Sequence, residues 1–229
     1  MAISRVQGNA RGISNTTTLT VTLDSTPTSG NKLIASIGGW AWSGTTPTVS
    51  SISQTNVSWE KAISVVRPTN YCDAEVWLGA VSASASTTVT ITLSAAGQGI
   101  ADICEYSGLA DTPIDKTASA YGNSAGSLTS TGATATTTQA DELWVGSIEF
   151  CSGTQSTPTN SFTLLDGADA NSTSLVFLEK IVSSTGTANS GTTGSTAWNG
   201  WAGCIATFKA AADLPSRIST SRNLMGVGW

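Results

Sequence analysis

The stretch TTVTITLS, residues 87–94, decides the fold of this chain. Its apolar residues Val89, Ile91 and Leu93 alternate with threonines at positions 88, 90 and 92, and successive side chains of an extended chain point to opposite faces. One face is therefore apolar and the other carries hydroxyls, which predicts a half-buried antiparallel strand. Threonine suits the exposed face because its branched Cβ packs well on a pleated surface.

The same alternation recurs along the chain between clusters of Gly, Pro, Asn and Ser. It predicts strands at residues 2–7, 17–23, 32–37, 48–52, 59–66, 74–81, 87–93, 100–106, 143–150, 161–165, 174–182 and 201–208. Residues 143–150 and 174–182 are apolar on both faces, so we expect those two strands to be central. We interpret the stretches rich in Gly, Ser and Thr at 121–138 and 183–196 as long loops.

Two parts of the chain, about 30–109 and 140–210, resemble each other. The first contains GNKLIASIG, AEVWLGAV and GIADICEYSGL, and the second contains ADELWVGSIEF, TSLVFLEKIV and WNGWAGCIATFKA. Tyr106 aligns with Phe208, and Ile103 aligns with Ile205. We predict one all-β domain over residues 1–210, a jelly-roll-like antiparallel β-sandwich with pseudo-repeated halves, followed by an extended C-terminal tail at 211–229. Two smaller sandwiches side by side are the alternative.

Composition indicates a folded chain and argues against nucleic-acid and membrane partners. Of 229 residues, 39% are hydrophobic, 11% are charged and eight are Trp, with a net charge of −5, whereas disordered chains combine low hydrophobicity with high charge. The basic residues form no stripe that would neutralise phosphates, so we expect no nucleic-acid partner. No apolar run reaches the roughly 18 residues of a membrane span, so we expect no membrane partner.

The opening residues MAISRVQGNARG lack the basic start and apolar core of a secretory signal. We therefore expect the protein to be assembled in a host cytoplasm, as virion components are. A chain from which a signal has been removed, and hence an extracellular protein, is the alternative.

The four cysteines are Cys72, Cys104, Cys151 and Cys204. No two form a CxxC pair and the chain has no His, which disfavours a zinc site. Cys104 and Cys204 lie in apolar strands, where a thiol behaves as a small buried hydrophobic group. Four free thiols are the favoured interpretation, and Cys72 and Cys151 are the best pair if one disulfide exists.

The absence of His removes the usual Ser-His-Asp and Cys-His mechanisms. Asp111 and Asp115 lie in DTPID, where the proline favours a turn. Glu105 and Glu149 lie in apolar strands and are the one pair considered for glycoside hydrolysis, which needs two carboxylates facing each other. Turn-forming and structural roles are the favoured interpretations, so we predict no catalytic residues and no enzyme.

DGADAN, residues 166–171, is a weak candidate for a Ca²⁺ loop. It offers oxygen ligands at Asp166, Asp169 and Asn171 around a glycine. It lacks the spacing and the distal Glu of an EF-hand, so a hairpin loop is favoured and we expect neither a metal nor another cofactor.

Four tryptophans near glycines are candidates for glycan binding, because flat indole rings stack on sugars. They are Trp40 and Trp42 in GGWAWSG, and Trp198 and Trp201 in AWNGW. Packing in the core or in loops is the favoured interpretation of these tryptophans, and glycan binding is the alternative.

The tail is the second candidate site. It differs from the rest in ending on apolar residues beside basic ones, and we consider both an arm that docks on a neighbouring subunit and a segment that folds back on its own domain. The tail residues concerned are Arg217, Arg222, Leu224, Met225, Val227 and Trp229.

The succession AISRVQ, GNKLIASIG, AEVWLGAV, TVTITLS, ICEYSGL with DTPID, and ADELWVGSIEF resembles a β-sandwich module of tailed-phage and prophage virion proteins, found also in some secreted bacterial proteins. The resemblance covers about residues 2–210 and includes no catalytic residues. It implies a structural viral protein, such as a capsid decoration protein, head fibre or tail component. Such a protein would form a homo-oligomer and would also bind other virion proteins. The alternatives are a carbohydrate-binding module that uses the loop tryptophans on a host glycan, and a subunit of an extracellular filament.

Overall fold

The computed structural model describes residues 2–41, 44–68, 72–122, 128–150, 155–170, 173–194 and 200–212. All regular secondary structure in these ranges is β. The described residues contain no helix that is long and apolar enough to cross a membrane. The fifteen strands are β1 (Ser4–Ser14), β2 (Thr18–Thr22), β3 (Lys32–Trp40), β4 (Val49–Ser53), β5 (Val57–Val66), β6 (Cys72–Val81), β7 (Thr88–Leu93), β8 (Gln98–Ser107), β9 (Leu109–Gly122), β10 (Asp141–Phe150), β11 (Gln155–Pro158), β12 (Thr163–Ala170), β13 (Thr173–Ser183), β14 (Thr192–Gly194) and β15 (Trp201–Ala210). All twelve predicted strands are present, so the prediction of an all-β fold is confirmed.

Two five-stranded antiparallel sheets form the body of the protein. Their strand orders are β1-β8-β3-β6-β5 and β9-β15-β10-β13-β12. The orders coincide when β1 is matched with β9, β3 with β10, and β8 with β15, which is the arrangement that a duplicated half would produce. The jelly-roll connectivity and the division into pseudo-repeated halves remain predictions.

A small sheet covers the outer face of the first large sheet, and the two large sheets pack against each other. Alternate residues of β3 point in opposite directions: Leu33 and Ile37 pack with the small sheet β2-β7-β4, whereas Ile34 packs between the large sheets. On the other large sheet, Val145 of β10 faces the same central core and Trp144 faces an outer one. The result is a stack of layers with three apolar cores, which gives the sandwich its thickness.

The central strands are buried on both faces because each lies between two cores. Every residue of β3 is buried, and so is every residue of β10 except its first. Strands covered on both sides lose the hydrophobic alternation of a half-buried strand and become almost continuously apolar. The expectation that 143–150 and 174–182 are central is confirmed, since β10 and β13 are interior strands of their sheet.

The DTPID segment is part of a strand, so its interpretation as a turn is wrong. It lies within β9, whose Ile114 is paired with Phe208 of β15. Strand β9 is the edge of its sheet, and a proline is tolerated there because its missing N–H costs no ladder hydrogen bond. This long strand carries the chain from the first large sheet to the second.

Within the stretches interpreted as loops, the described residues 128–138 and 183–194 form the outer cover of the second large sheet. Their threonines make a ladder in which the backbone N–H donates to the opposite carbonyl and the side-chain hydroxyl accepts from the opposite N–H. At Thr131 the two distances are 2.9 and 3.0 Å, both to Ser190. The same exchange joins Thr129 to Thr192, Thr134 to Ala188, and Thr137 to Gly186.

The expectation of four free thiols is wrong, because Cys72 is disulfide-bonded. Cys104 and Cys204 form no disulfide and are fully buried, and burial raises the pKa of the Cys204 thiol well above its usual range. Cys151 lies outside the described residues. The suggested pairing of Cys72 with Cys151 remains a prediction.

Candidate functional site

Glu75 is a fully buried carboxylate with strong donors on both oxygens. It accepts hydrogen bonds from the Val49 amide and the Trp77 indole, each at 2.7 Å, and its Oε2 lies 2.7 Å from the Lys61 ammonium. Lys61 also lies over the Trp77 ring, 5.2 Å from its centroid. Glu75 therefore joins β4, β5 and β6 at one point, which is a structural role.

Asp73 lies two residues away on the same face of β6 and is also buried. Burial raises its pKa well above the usual range, and the charge of Glu75 raises it further, whereas Lys61 lowers it. Two neighbouring buried carboxyl groups cannot both ionise cheaply, so Asp73 carries the proton of the pair. A protonated group of this kind is poorly suited to nucleophilic or general-base chemistry.

Glu105, another fully buried carboxylate, anchors the segment before β3. Its Oε1 accepts hydrogen bonds from the Thr28 amide at 2.8 Å and the Asn31 side chain at 2.6 Å. Its Oε2 accepts one from the Gln7 amide group at 2.6 Å, and Gln7 in turn holds both backbone groups of Ser25. Glu105 therefore ties β1 and β8 to this segment.

Glu105 and Glu149 do not form a glycosidase pair. The β8 neighbours of Glu105, Cys104 and Tyr106, pack in the core between the large sheets, so Glu105 faces the other way. Glu149 points across that core, where a side chain added at Gly38 would collide with its carboxylate. A sheet separates the two carboxyl groups, which excludes the geometry of two acids facing one substrate.

Asp115 and Glu142 are a carboxyl pair that the sequence did not reveal. Their side chains lie near each other beside Thr207 of β15, and each affects the pKa of the other. The Thr138 hydroxyl and amide each donate to Asp115 at 2.6 Å, and the Trp144 indole donates to Glu142 at 3.1 Å. The two acids belong to β9 and β10, so the pair forms only after the sheet has been assembled.

The pKa values of this pair diverge. Burial raises the pKa of Glu142 to about 7, although hydrogen bonds from Trp144 and Thr207 oppose the rise. Burial also raises the pKa of Asp115, but the hydrogen bonds from Thr138 and Lys116 outweigh it and bring the value to about 2. The pair therefore holds one proton from about pH 2 to about pH 7.

Direct polar contacts cross the central core. The Ser36 hydroxyl donates to the Ser147 hydroxyl at 2.7 Å, and the buried Tyr106 hydroxyl donates to Glu179 at 2.6 Å. Burial, together with the nearby charge of Glu179, raises the pKa of Tyr106 well above its usual range. These contacts fix how the two large sheets lie against each other.

The tryptophan candidates are separated by burial. Trp40 is 8% exposed and Trp201 is 7% exposed, and they belong to different cores. Such rings offer little free face for stacking on a sugar. Trp42 and Trp198 lie outside the described residues.

The tail candidates Arg217, Arg222, Leu224, Met225, Val227 and Trp229 also lie outside the described residues. Before them, the Ala211 amide donates to the Gly108 carbonyl at 2.8 Å, so the chain leaves β15 beside the connection between β8 and β9.

The weak metal candidate lies in a strand. Asp166 is paired with Phe177 and Asp169 with Ser174 in the β12–β13 ladder, so the interpretation of this segment as a hairpin loop is wrong for residues 166–170. Asn171 lies outside the described residues. Among the side chains that the structure describes, no group of three or more Cys, Asp or Glu is arranged to hold a metal ion.

An uncharged face lies on the outer side of the small sheet that covers the first large sheet. It is the outer surface of the sheet β2-β7-β4, where the outward side chains are Thr18, Thr20, Thr22, Ser51, Ser53, Thr88, Thr90 and Thr92. We call these eight residues the hydroxyl face. The alternation in TTVTITLS predicts one row of it, but the neighbouring rows depend on pairing between distant strands.

The chain matches no protein-family model, no curated protein and no solved structure. The geometry of its own residues therefore carries the functional argument.

Proposed function

We propose that this protein is a non-enzymatic structural protein of a virion, a capsid decoration protein, head fibre or tail component that acts through contacts between subunits. The observation that carries the proposal is the position of its exposed apolar side chains. Six large hydrophobic residues of the described chain are substantially exposed, and four of them lie on edge strands of the two large sheets. These four are Val6 and Ile13 on β1, Val66 on β5 and Tyr121 on β9.

Edge strands favour assembly because their outer N–H and C=O groups have no ladder partner. Proteins that remain monomeric blunt such edges with charges, bulges or covering segments. Val66, at the end of β5, is 42% exposed, and Tyr121, near the end of β9, is 52% exposed. An apolar side chain beside open backbone groups is a surface that a second subunit can cover.

The buried carboxyl groups support the non-enzymatic part of the proposal. Glu75 and Glu105 have two or more donors each, and Asp115 is bound by Thr138 and Lys116. Catalytic acids and bases must reach a substrate proton. These carboxyl groups instead hold strands and connecting segments together.

The disulfide at Cys72 supports a location outside a reducing cytoplasm. Disulfides persist on virion surfaces and in extracellular proteins and are rare in reducing compartments. A virion component that acquires its disulfide after release satisfies both this observation and the expected assembly in a host cytoplasm.

Sedimentation velocity over a range of concentrations tests the assembly. We expect the full chain to associate, and we expect Val66→Lys to weaken association because it places a charge on the edge of β5. Ile181→Lys is the matched control, since Ile181 is 48% exposed on the interior strand β13. A monomeric full chain, or equal weakening by both variants, would contradict assembly through the edges.

A chain ending at residue 212 separates the role of the tail from that of the edges. Loss of association in this shortened chain, with Val66→Lys unchanged from wild type, would assign assembly to the tail. Loss in both would assign it to the two surfaces together.

A further inference from the structure

The hydroxyl face is a regular array. In the β2–β7 ladder Thr18 is paired with Thr92, Thr20 with Thr90, and Thr22 with Thr88. In the β4–β7 ladder Thr92 is also paired with Ser51, and Thr90 with Ser53. Sheet geometry sets these side chains about 4.8 Å apart across strands and about 7 Å apart along them.

The array is rigid because the opposite face of the same strands is tightly packed. Leu19, Val21, Val89 and Ile91 have no exposed surface and belong to one core. Threonine also has few side-chain rotamers, since its Cβ is branched. The hydroxyl positions are therefore set before any ligand arrives, which reduces the entropy lost on binding.

The hydroxyls of this face have hydrogen-bonding capacity to spare, unlike those of the buried threonine ladder. In that ladder the Thr131 hydroxyl bonds both the amide and the carbonyl of Ser190. Among the described residues, no side-chain hydrogen bond within the protein involves the hydroxyls of Thr20, Thr88 or Thr90. Each of these hydroxyls can donate one hydrogen bond and accept others.

An open groove of about 480 Å³ runs into one end of the hydroxyl face. Its lining consists of Ser53, Gln54, Thr55, Ser86, Thr88 and Thr90. The Gln54 side chain is held in place, because its Nε2 donates to the Ser86 carbonyl at 2.6 Å and its Oε1 accepts from the Trp59 indole at 3.2 Å. The groove thus presents one fixed amide and five hydroxyls, with no charged group in its lining.

This chemistry excludes most classes of partner. Nucleic acid needs cationic groups for its phosphates, and an amphipathic helix or a membrane surface needs apolar or basic side chains. A protein interface needs a core rich in aromatic or aliphatic residues. A neutral ligand with many hydroxyls matches the groove, because each of its hydroxyls can both donate to and accept from the lining residues.

We propose that the groove and the adjoining hydroxyl face bind a chain of uncharged sugars. One sugar unit occupies the groove beside Gln54, Thr88 and Thr90, and the following units lie along the threonine rows. This site is distinct from the tryptophan candidates. It rests on the proposed function in one respect: the sugar chain would be a ligand on the surface of the host.

Affinity electrophoresis of the full chain tests the proposal, with dextran, mannan or amylose in the native gel and with heparin and polygalacturonate as charged comparators. We expect at least one neutral polysaccharide to retard the wild type and the charged ones to leave its mobility unchanged. Thr88→Val combined with Thr90→Val removes two hydroxyls and preserves shape, so we expect about tenfold weaker retardation or more. Thr117→Val is the matched control, because it removes an exposed hydroxyl from β9.

Circular dichroism melting of each variant shows that the fold is retained. Retardation by none of the three neutral polysaccharides, or equal retardation of the double variant and wild type, would overturn the proposal. Ice shaping by the wild type that is lost in the double variant would reassign the face to ordered water, and loss of self-association would reassign it to a second copy of the chain. The edge variant Val66→Lys should bind the polysaccharide normally, which separates failure of this proposal from failure of assembly.

Discussion

Replacing Glu142 with Gln should remove a specific part of the pH dependence of folding. In the folded protein the pKa of Glu142 is about 7, against 4.5 for the ordinary carboxyl group. Between these values the folded chain holds a proton that the unfolded chain has released, so stability falls as the pH rises from about 4.5 to about 7. The difference of about 2.5 pH units corresponds to about 3 kcal/mol at roughly 1.4 kcal/mol per unit.

The opposite sign applies to Asp115. Its pKa of about 2 in the folded protein lies below its ordinary value of 3.8. The unfolded chain then binds the extra proton, so this contribution is lost as the pH falls from about 4 to about 2. The carboxyl pair therefore stabilises the fold most between about pH 4 and pH 5, where Glu142 is protonated and Asp115 is ionised.

Urea denaturation of wild type and Glu142→Gln at half-unit steps from pH 4.5 to 8 measures this contribution. We expect the variant to have a flatter profile and to exceed the wild type in stability by up to about 3 kcal/mol at pH 8. Asp111→Asn, an exposed position on β9, is the matched control and should follow the wild-type profile. The residual slope should come largely from Asp73, whose pKa is also raised. Identical slopes for wild type and Glu142→Gln would refute the raised pKa of Glu142.

Three further changes test other parts of the structure. Thr131→Val leaves the buried Ser190 amide without its acceptor and should cost about 1–3 kcal/mol in urea denaturation, whereas Thr20→Val on the exposed face should change stability by less than about 0.5 kcal/mol; equal effects would contradict the ladder. Gly38→Ala should cost about 1–3 kcal/mol, because its methyl group meets the carboxylate across the central core, and an unchanged melting temperature would count against that packing. Cys72→Ser should cost about 2–5 kcal/mol and abolish the effect of dithiothreitol on melting; if reduction still lowers the wild-type and variant melting temperatures alike, the disulfide assignment is wrong.

The strands were predictable from sequence because period-two alternation is a local property. TTVTITLS and its counterparts need only their own residues to indicate which face is buried. Strand β9 was missed because Pro113 resembles a turn former, and its acceptance depends on lying at a sheet edge. Edge position is set by the order of strands in the whole sheet, which local pattern does not contain.

The threonine ladder was missed for a related reason. Residues 128–138 and 186–193 have no hydrophobic alternation, and their hydroxyls replace carbonyl acceptors that a regular strand would supply. Serine, threonine and glycine in such numbers usually indicate a loop. Only pairing between two segments some 60 positions apart turns them into a cover for the outer core.

The polar groups were predicted least well because their roles depend on layers. In AEVWLGAV the acid Glu75 stands among apolar residues, and nothing in the local pattern shows which groups would satisfy its carboxylate. A third sheet covers its face of β6, so Glu75 becomes buried and needs donors from β4 and β5. Layers also bury the two tryptophans that glycine-rich surroundings had marked as candidates for an exposed site, Trp40 in the core between the large sheets and Trp201 in the outer core of the second sheet.

Immunogold electron microscopy of virions from the native source tests the central claim most directly. Antibodies against the full chain should label intact particles at repeated, symmetric positions on the capsid or tail, because a structural protein that acts through subunit contacts is present in many ordered copies. Labelling confined to material that carries no particles would contradict the proposal that this protein is a virion component.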